Sequence, residues 1–206
     1  MTRLVVATRN PGKVREIHEL LAGLGGYGVV GLADLAIPES PEEDAVEAFE
    51  TFEANALAKA RYFAARTGLL ALADDSGICV DALGGAPGVR SRRFAAADEA
   101  RGERQDEANN RHLLALLREV PDEGRTARYV CTAALAWPDG REQVRTGTCD
   151  GVILHTPRGA GGFGYDPLFY LEGEGMTFGE LPADRKNALS HRGRAIRQVL
   201  DVLAGG

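Results

Sequence analysis

Leu4 to Thr8 (LVVAT) is a continuous β-rich run that reads as a buried strand, and Arg9 to Lys13 (RNPGK) breaks it. Ile17, Leu20, Leu21 and Leu24 then recur at helical spacing until Gly23, Gly25, Gly26 and Gly28 end the pattern, so the chain opens as strand, loop, helix. From Ser40 to Gly68 the pattern predicts one long helix with an acidic entry. Ser40 is its expected N-cap, Pro41 its first helical position, and Phe49, Phe52, Ala56 and Ala60 one apolar face. Leu69 to Asp74 (LLALAD) reads as the next strand and Ile78 to Leu83 (ICVDAL) as a further short one. Ala100 to Glu119 is expected to be helical, with Leu113, Leu114, Leu116 and Leu117 in the core. Arg128 to Trp137 and Arg141 to Ile153 flank the turn Pro138-Asp139-Gly140, a hairpin signal. A glycine-rich loop and Pro167 to Leu171 (PLFYL) follow, and Ile196, Val199, Leu200 and Leu203 mark a terminal helix.

Strands alternating with helices, then a hairpin, predict an α/β protein with a mixed sheet. No stretch has the length and polarity of an interdomain linker. The expected organisation is therefore one two-lobed domain over residues 1–206 with a central cleft.

Composition narrows the choice of ligand. The net charge of −6 gives no general attraction to nucleic acid or to an anionic membrane, so a phosphate-rich ligand needs local cations and backbone amides. No apolar run reaches the length of a membrane span, and the N-terminus does not read as a signal peptide. Three cysteines, an odd count without a Cys-x-x-Cys pair, suggest neither a disulfide framework nor a zinc site. Buried thiols in a reducing cytoplasm are the expectation.

Four segments carry chemistry. In Thr8-Arg9-Asn10-Pro11-Gly12-Lys13 a strand meets a glycine turn, a lysine and a helix start, which suits an anion; an ordinary βα turn reads the same way. It is no Walker loop, since Ala7 and Val14 stand where that motif needs Gly and Ser or Thr. Gly159 to Gly164 satisfies G-x-G-x-x-G, but it runs into Tyr165-Asp166-Pro167 instead of opening a helix, so it is not a dinucleotide fingerprint. Its Phe163 suits stacking on a base or a place in the core. Asp184 to Ala195 gathers Lys186, His191 and Arg192, either as a solvated face or as a set of donors. No serine elbow supports a hydrolytic triad, and His18, His112 and His155 lack metal-ligand spacing. Finally, Asp74 and Asp75 stand side by side where the hydrophobic run ends. Adjacent carboxylates repel, and a hard cation such as Mg²⁺, bound through one or two carboxylates and substrate phosphates, relieves that repulsion; a polar turn is the plainer alternative.

Taken in order, ATRNPGK, FEANALAKA, ADDSGICVDALGGAPGVRSRRF, GGFGYDP and KNALSHRG make the chain resemble, over essentially its whole length, the inosine/xanthosine triphosphate pyrophosphatase family. The resemblance implies a long twisted mixed sheet with flanking helices, two lobes around a nucleotide-binding cleft, and a homodimer. It implies Mg²⁺-dependent hydrolysis of dITP, ITP and XTP to the monophosphate and pyrophosphate. Carried onto this sequence, Thr8, Arg9, Asn10, Pro11, Gly12, Lys13 and Lys59 bind the triphosphate. Asp75 is the catalytic acid/base and a metal ligand, supported by Asp74, and Ser76 touches the substrate. Phe163, Gly164, Tyr165 and Asp166 form the base pocket, while Lys186, His191 and Arg192 read the purine edge. The segment before FEANA is longer than the family pattern, so Glu42 and Glu43 are the candidate metal carboxylates, Glu43 first. Ala54 stands where many relatives carry Glu, and this removes an auxiliary carboxylate from that helix. A nucleotide sensor without hydrolysis, and a phosphatase acting at the γ-phosphate, are the competing functions.

Overall fold

The structure, a computed structural model, describes residues 2–96 and 104–205. Among these residues, strands β1 (Thr2–Val6), β2 (Tyr27–Gly31), β3 (Leu70–Val80), β4 (Thr126–Ala136), β5 (Glu142–Ile153), β6 (Phe169–Leu171) and β7 (Met176–Thr177) form one sheet in the order β2-β1-β3-β4-β5-β6-β7. β1 pairs in parallel with β2 and β3, whereas β6 pairs antiparallel with β5 and β7. The sheet is mixed, as the change from alternating elements to hairpins predicts. The helices are α1 (Pro11–Leu20), α2 (Glu42–Ala45), α3 (Phe52–Thr67), α4 (Gln105–Leu116), α5 (Ala183–Leu189) and α6 (His191–Gly205).

Two compact units share the chain. The first comprises Met1–Asp75, Cys131–Gly147 and His191–Gly206; the second comprises Ser76–Val130 and Thr148–Ser190. The first buries Leu4, Val6, Ile17, Leu72, Leu135, Ile196 and Val199 in one cluster, and Val5, Ala56, Ala60, Phe63 and Ala71 in another. The second is built around Ile78, Val80, Leu113 and an aromatic group in which Tyr129 meets Phe169 edge-on at 4.7 Å.

Three elements differ from the sequence reading. The expected long helix from Ser40 is instead the single turn α2 and a separate α3 capped by Thr51, whose hydroxyl accepts from Ala54 N at 3.1 Å. The break has a cause: the Asn55 side chain accepts from Phe49 N and donates to Phe49 O, taking backbone groups that a continuous helix uses internally. Phe49 is thereby 48% exposed and belongs to no helical face. Leu70–Asp74 and Ile78–Val80 belong to one strand, β3, while Asp81–Leu83 turn in a 3-10 helix, so Asp74 and Asp75 sit mid-strand rather than in a turn. In the expected helix from Ala100 to Glu119, residues 100–103 lie outside the described residues. α4 buries Leu113, and Leu117 just beyond it, but leaves Leu116 exposed.

Candidate active site

In the first unit, chemistry converges on the middle of β3. Asp74 is wholly buried. Lys13 Nζ on α1 lies 3.1 Å from its Oδ2, Arg192 at the start of α6 donates Nε and Nη2 to the same oxygen at 3.2 Å, and the Cys131 thiol on β4 donates to it at 3.7 Å. Lys59 on α3 donates to the Asp74 carbonyl at 3.1 Å. Burial pushes the Asp74 carboxyl up, yet Lys13, Arg192 and Lys59 outweigh it and leave the group well below the ordinary carboxylate range. Asp74 is a fixed negative charge. Its second oxygen, Oδ1, is buried and accepts no hydrogen bond among the described residues.

Asp75, one residue on, is in the opposite state. Burial raises its carboxyl pKa, and the nearby negative charge of Asp74 raises it further; Lys13, Lys59 and the Asn55 amide, which donates to Oδ2 at 2.9 Å, only partly offset the rise. Two adjacent carboxyls are therefore driven apart in proton affinity. That division between a permanent anion and a group able to take and return a proton suits acid–base chemistry.

Helix periodicity explains the supporting cations. Asn55, Ala56, Lys59, Ala60, Phe63 and Ala64 form the buried stripe of α3, so Asn55 and Lys59, one turn apart, face β3 with the apolar residues. Lys59 Nζ also meets Glu47 Oε1 at 2.5 Å. Arg192 is 2% exposed and donates Nη1 to Glu16 Oε2 at 2.5 Å, so its charge is divided between two buried acids. Arg192, expected at the purine edge, is here held by these two acids. A fully desolvated guanidinium requires carboxylate partners, and Asp74 and Glu16 supply them.

The loop before α1 is also more committed than its motif suggests. Asn10 caps the helix by accepting from Gly12 N at 2.9 Å and Lys13 N at 3.1 Å, Pro11 begins it, and the Thr8 hydroxyl accepts from Asn10 N. Those two amides are already engaged, which leaves Lys13 as the loop's strongest contribution to an anion. Arg9 donates Nε and Nη2 to the Glu43 carboxylate at 2.6 and 2.7 Å and bonds the Ile37 and Pro38 carbonyls. Arg9, expected at the triphosphate, here anchors the 37–43 segment.

That anchoring bears on the metal candidates. Glu43 accepts from Arg9, Arg66 and Ser40 N, and Glu42 is exposed and accepts from the Ser40 hydroxyl. Of these two expected metal carboxylates, Glu43 is held by arginine partners and Glu42 by a local serine. Among the described residues no group of three or more His, Cys, Asp or Glu side chains forms a metal cage. The carboxylates that suit a hard cation are Asp75 and Glu47, both of which face Lys59; Asp74, next to Asp75 on β3, is buried against Lys13 and Arg192. A magnesium ion binds through such sparse carboxylates when substrate phosphates complete its shell.

Predicted residues in the second unit assemble as a separate group. Lys186 on α5 donates to Asp166 Oδ2 at 2.6 Å, with both side chains buried, and its Nζ stands 5.0 Å from the centre of the Phe163 ring. Phe163 N donates to Asp166 Oδ2 at 2.8 Å. Tyr165 is buried and donates its hydroxyl to Ser91 O at 2.8 Å. His191, in the first unit, is 4% exposed at the head of α6, and Ser76 directly follows Asp75 on β3.

The sequence pattern of the Ham1 family matches residues 4–202. The chain belongs to the Ham1 family. This Ham1 chain is 52% identical over 203 residues to a dITP/XTP pyrophosphatase of Geobacter sulfurreducens, covering 98% of this chain and 97% of the relative. A Streptomyces coelicolor protein of the same name is 49% identical, with 98% of each covered. Among solved structures, a HAM1 protein from Coxiella burnetii matches with a TM-score of 0.85 and 36% identity over the full length of both chains. A nucleoside-triphosphatase / dITP/XTP pyrophosphatase from Mycobacterium abscessus matches with a TM-score of 0.71 and 43% identity, covering 97% of this chain and 99% of that one.

The sequence does not single out Glu16 or Glu47 in this Ham1 chain, it marks Cys131 only as a buried thiol, which the structure bears out, and it offers Asn55 only within a motif. Asn55 had a legible signal, a polar residue one turn before Lys59 on an otherwise apolar helix face. Glu16, beside the buried Ile17, had a weaker one, and the acid-rich 39–50 segment hid Glu47 among equivalents.

Proposed function

We propose that this chain hydrolyses deaminated purine nucleoside triphosphates, namely dITP, ITP and XTP, to the monophosphate and pyrophosphate, which removes them from the nucleotide pool. The observation that carries this reading is the divided carboxylate pair on β3: Asp74 held ionised by Lys13, Arg192 and Lys59, and Asp75 raised by burial. A site built only to hold a polyanion gains nothing from two carboxylates. The activity for which its relatives are named, dITP/XTP pyrophosphatase, supports the same reading.

Asp75 accepts a proton from a water as that water's oxygen attacks the α-phosphorus in line. A new P–O bond forms, the α–β phosphoanhydride breaks, and pyrophosphate leaves. The Asn55 amide fixes the carboxylate's orientation. Asp74 adds a nearby negative charge that keeps Asp75 a strong enough base, and it holds the Lys13 and Lys59 ammonium groups in place. Those ammonium groups balance the charge growing on the leaving pyrophosphate. Mg²⁺, when bound, supplies a Lewis acid that polarises phosphoryl oxygens. Asp75 and Glu47 are the residues that would hold it.

Base selection belongs to the Phe163–Lys186 group. Phe163 offers a ring face for stacking, and Lys186 or backbone amides donate to the 6-keto oxygen of hypoxanthine or xanthine. Adenine places an amino donor there and leaves the site's donors unpaired, a large penalty when buried. Family resemblance also supports a homodimer in the cytoplasm, which sedimentation of the purified chain and cell fractionation would check.

The deciding assay incubates the chain with ITP and Mg²⁺ and measures pyrophosphate and orthophosphate separately. Stoichiometric pyrophosphate is expected. Orthophosphate alone would indicate attack at the γ-phosphorus, and binding without either product would indicate a sensor.

A further inference from the structure

We infer that Asp106 and Asn110 of α4 are positioning residues for base recognition, acting as a latch on the Gly164 peptide. This rests on the reading of Phe163 as the base-stacking residue. The two side chains stand one helical turn apart and grip both polar atoms of one residue. Gly164 N donates to Asp106 Oδ2 at 2.8 Å, and Asn110 Nδ2 donates to Gly164 O at 2.9 Å.

The neighbouring backbone is held from the other side. Phe163 N donates to Asp166 Oδ2, and Asp166 N donates to Phe163 O at 3.3 Å. Asp166 itself is fixed by Lys186. Any side chain at Gly162 would strike Asp166, its Cβ lying 2.0 Å from Oδ2, and Gly162 and Gly164 have left-handed φ of 73° and 63°. The glycine loop has little stiffness of its own; besides Gly161 N, which donates to Gly179 O at 2.9 Å, these four backbone bonds shape it. Two come from within the loop segment, and the two to Gly164 come from a helix whose buried Ala108, Asn109 and Leu113 tie it to the second unit's core. Asn109, between the latch residues, donates to the Ser91 and Arg92 carbonyls and accepts from Ala95 N, so the helix cannot rotate freely about its axis. With the Gly164 peptide held, the Phe163 ring keeps its position over Lys186. Without it, the ring must be ordered by the incoming base, and that ordering weakens binding without touching the reacting atoms.

Asp106 is exposed and Asn110 half-buried, so substitutions there leave the core intact. Steady-state kinetics with dITP are compared for Asp106→Ala, Asp106→Asn, Asn110→Ala, Phe163→Ala and the double variant Asp106→Ala/Phe163→Ala, with melting temperatures alongside. Asp106→Ala and Asn110→Ala are expected to raise KM about tenfold with kcat changed less than threefold, the size of one lost hydrogen bond. Asp106→Asn retains an acceptor for Gly164 N and is expected to recover most of the KM, which a loss of helix-start charge alone would not produce. The double variant should be no worse than Phe163→Ala. If Phe163→Ala raises KM while Asp106→Ala and Asn110→Ala do not, the latch is wrong and the base reading stands. If Phe163→Ala itself leaves KM unchanged, the base reading fails first. A tenfold effect of Asp106→Ala that adds fully to Phe163→Ala, or falls on kcat instead, also overturns the latch.

Discussion

Asn55 donates its side-chain amide to Asp75 Oδ2 at 2.9 Å while its other contacts hold the Phe49 backbone, so one residue both starts the break before α3 and orients the Asp75 carboxylate. Asp75→Asn is expected to bind dITP near normally and turn over at least about a thousandfold more slowly, because the proton acceptor is gone. Asn55→Ala is expected to lower kcat about tenfold by freeing the carboxylate's orientation. Stopped-flow binding and steady-state turnover on the same preparations separate the two effects.

The Asp74 carboxylate is paired with Lys13 and Arg192, so its loss removes the ion-pair partner of a nearly buried lysine and leaves Arg192 to Glu16 alone. Asp74→Asn is expected to destabilise the fold by about 3–5 kcal/mol in urea titrations. The pH dependence follows from the sign of the shift. The folded-state pKa lies below the unfolded one, so Asp74 contributes stability above the unfolded carboxylate's pKa, and that contribution is lost as pH falls below it. The stability difference between wild type and Asp74→Asn should therefore shrink below about pH 4; a gap constant from pH 7 to pH 3 would show that Asp74 is not held ionised.

Asp75 carries the opposite shift, and activity reports it. Its raised pKa places the acidic limb of kcat/KM above the ordinary carboxylate range. Lys59 is among the groups holding that pKa down, so Lys59→Met is expected to move the limb to still higher pH as well as raise KM. A limb that stays in place would remove either Asp75 or Lys59 from this account.

Glu47 and Glu43 give a direct contrast. Glu47 is linked through Lys59 to the Asp74 backbone, whereas Glu43 anchors Arg9 and Arg66. Glu47→Gln is expected to raise the Mg²⁺ concentration for half-maximal activity about tenfold, and Glu43→Gln to shift it less than twofold. Mg²⁺ titrations of both variants test the assignment, and the reverse ranking would return the metal role to Glu43.

Much of the architecture was legible along the chain because it depends on local periodicity. The alternation of apolar strands and helices, the Pro138–Gly140 hairpin, Pro11 at a helix start and the end of α3 at Gly68, with φ of 67°, all follow from short-range sterics and capping. The single long helix from Ser40 failed because a side chain four positions beyond the new cap competes for backbone groups, a contact that propensity does not encode. Splitting β3 failed because two aspartates look like a strand end until distant cations are counted. The ordered motifs made the family visible, but not the partner of each charge.

Residue order alone determined the α/β alternation and placed Asp74 and Asp75 at the edge of an apolar run, since both depend on neighbours within a few positions. Tertiary structure decided what those carboxylates are. Arg192 lies 118 residues from Asp74, and Lys13 lies 61 from it. Coulomb energy in a buried site depends on distance through space and on desolvation, neither of which is written in the spacing of letters.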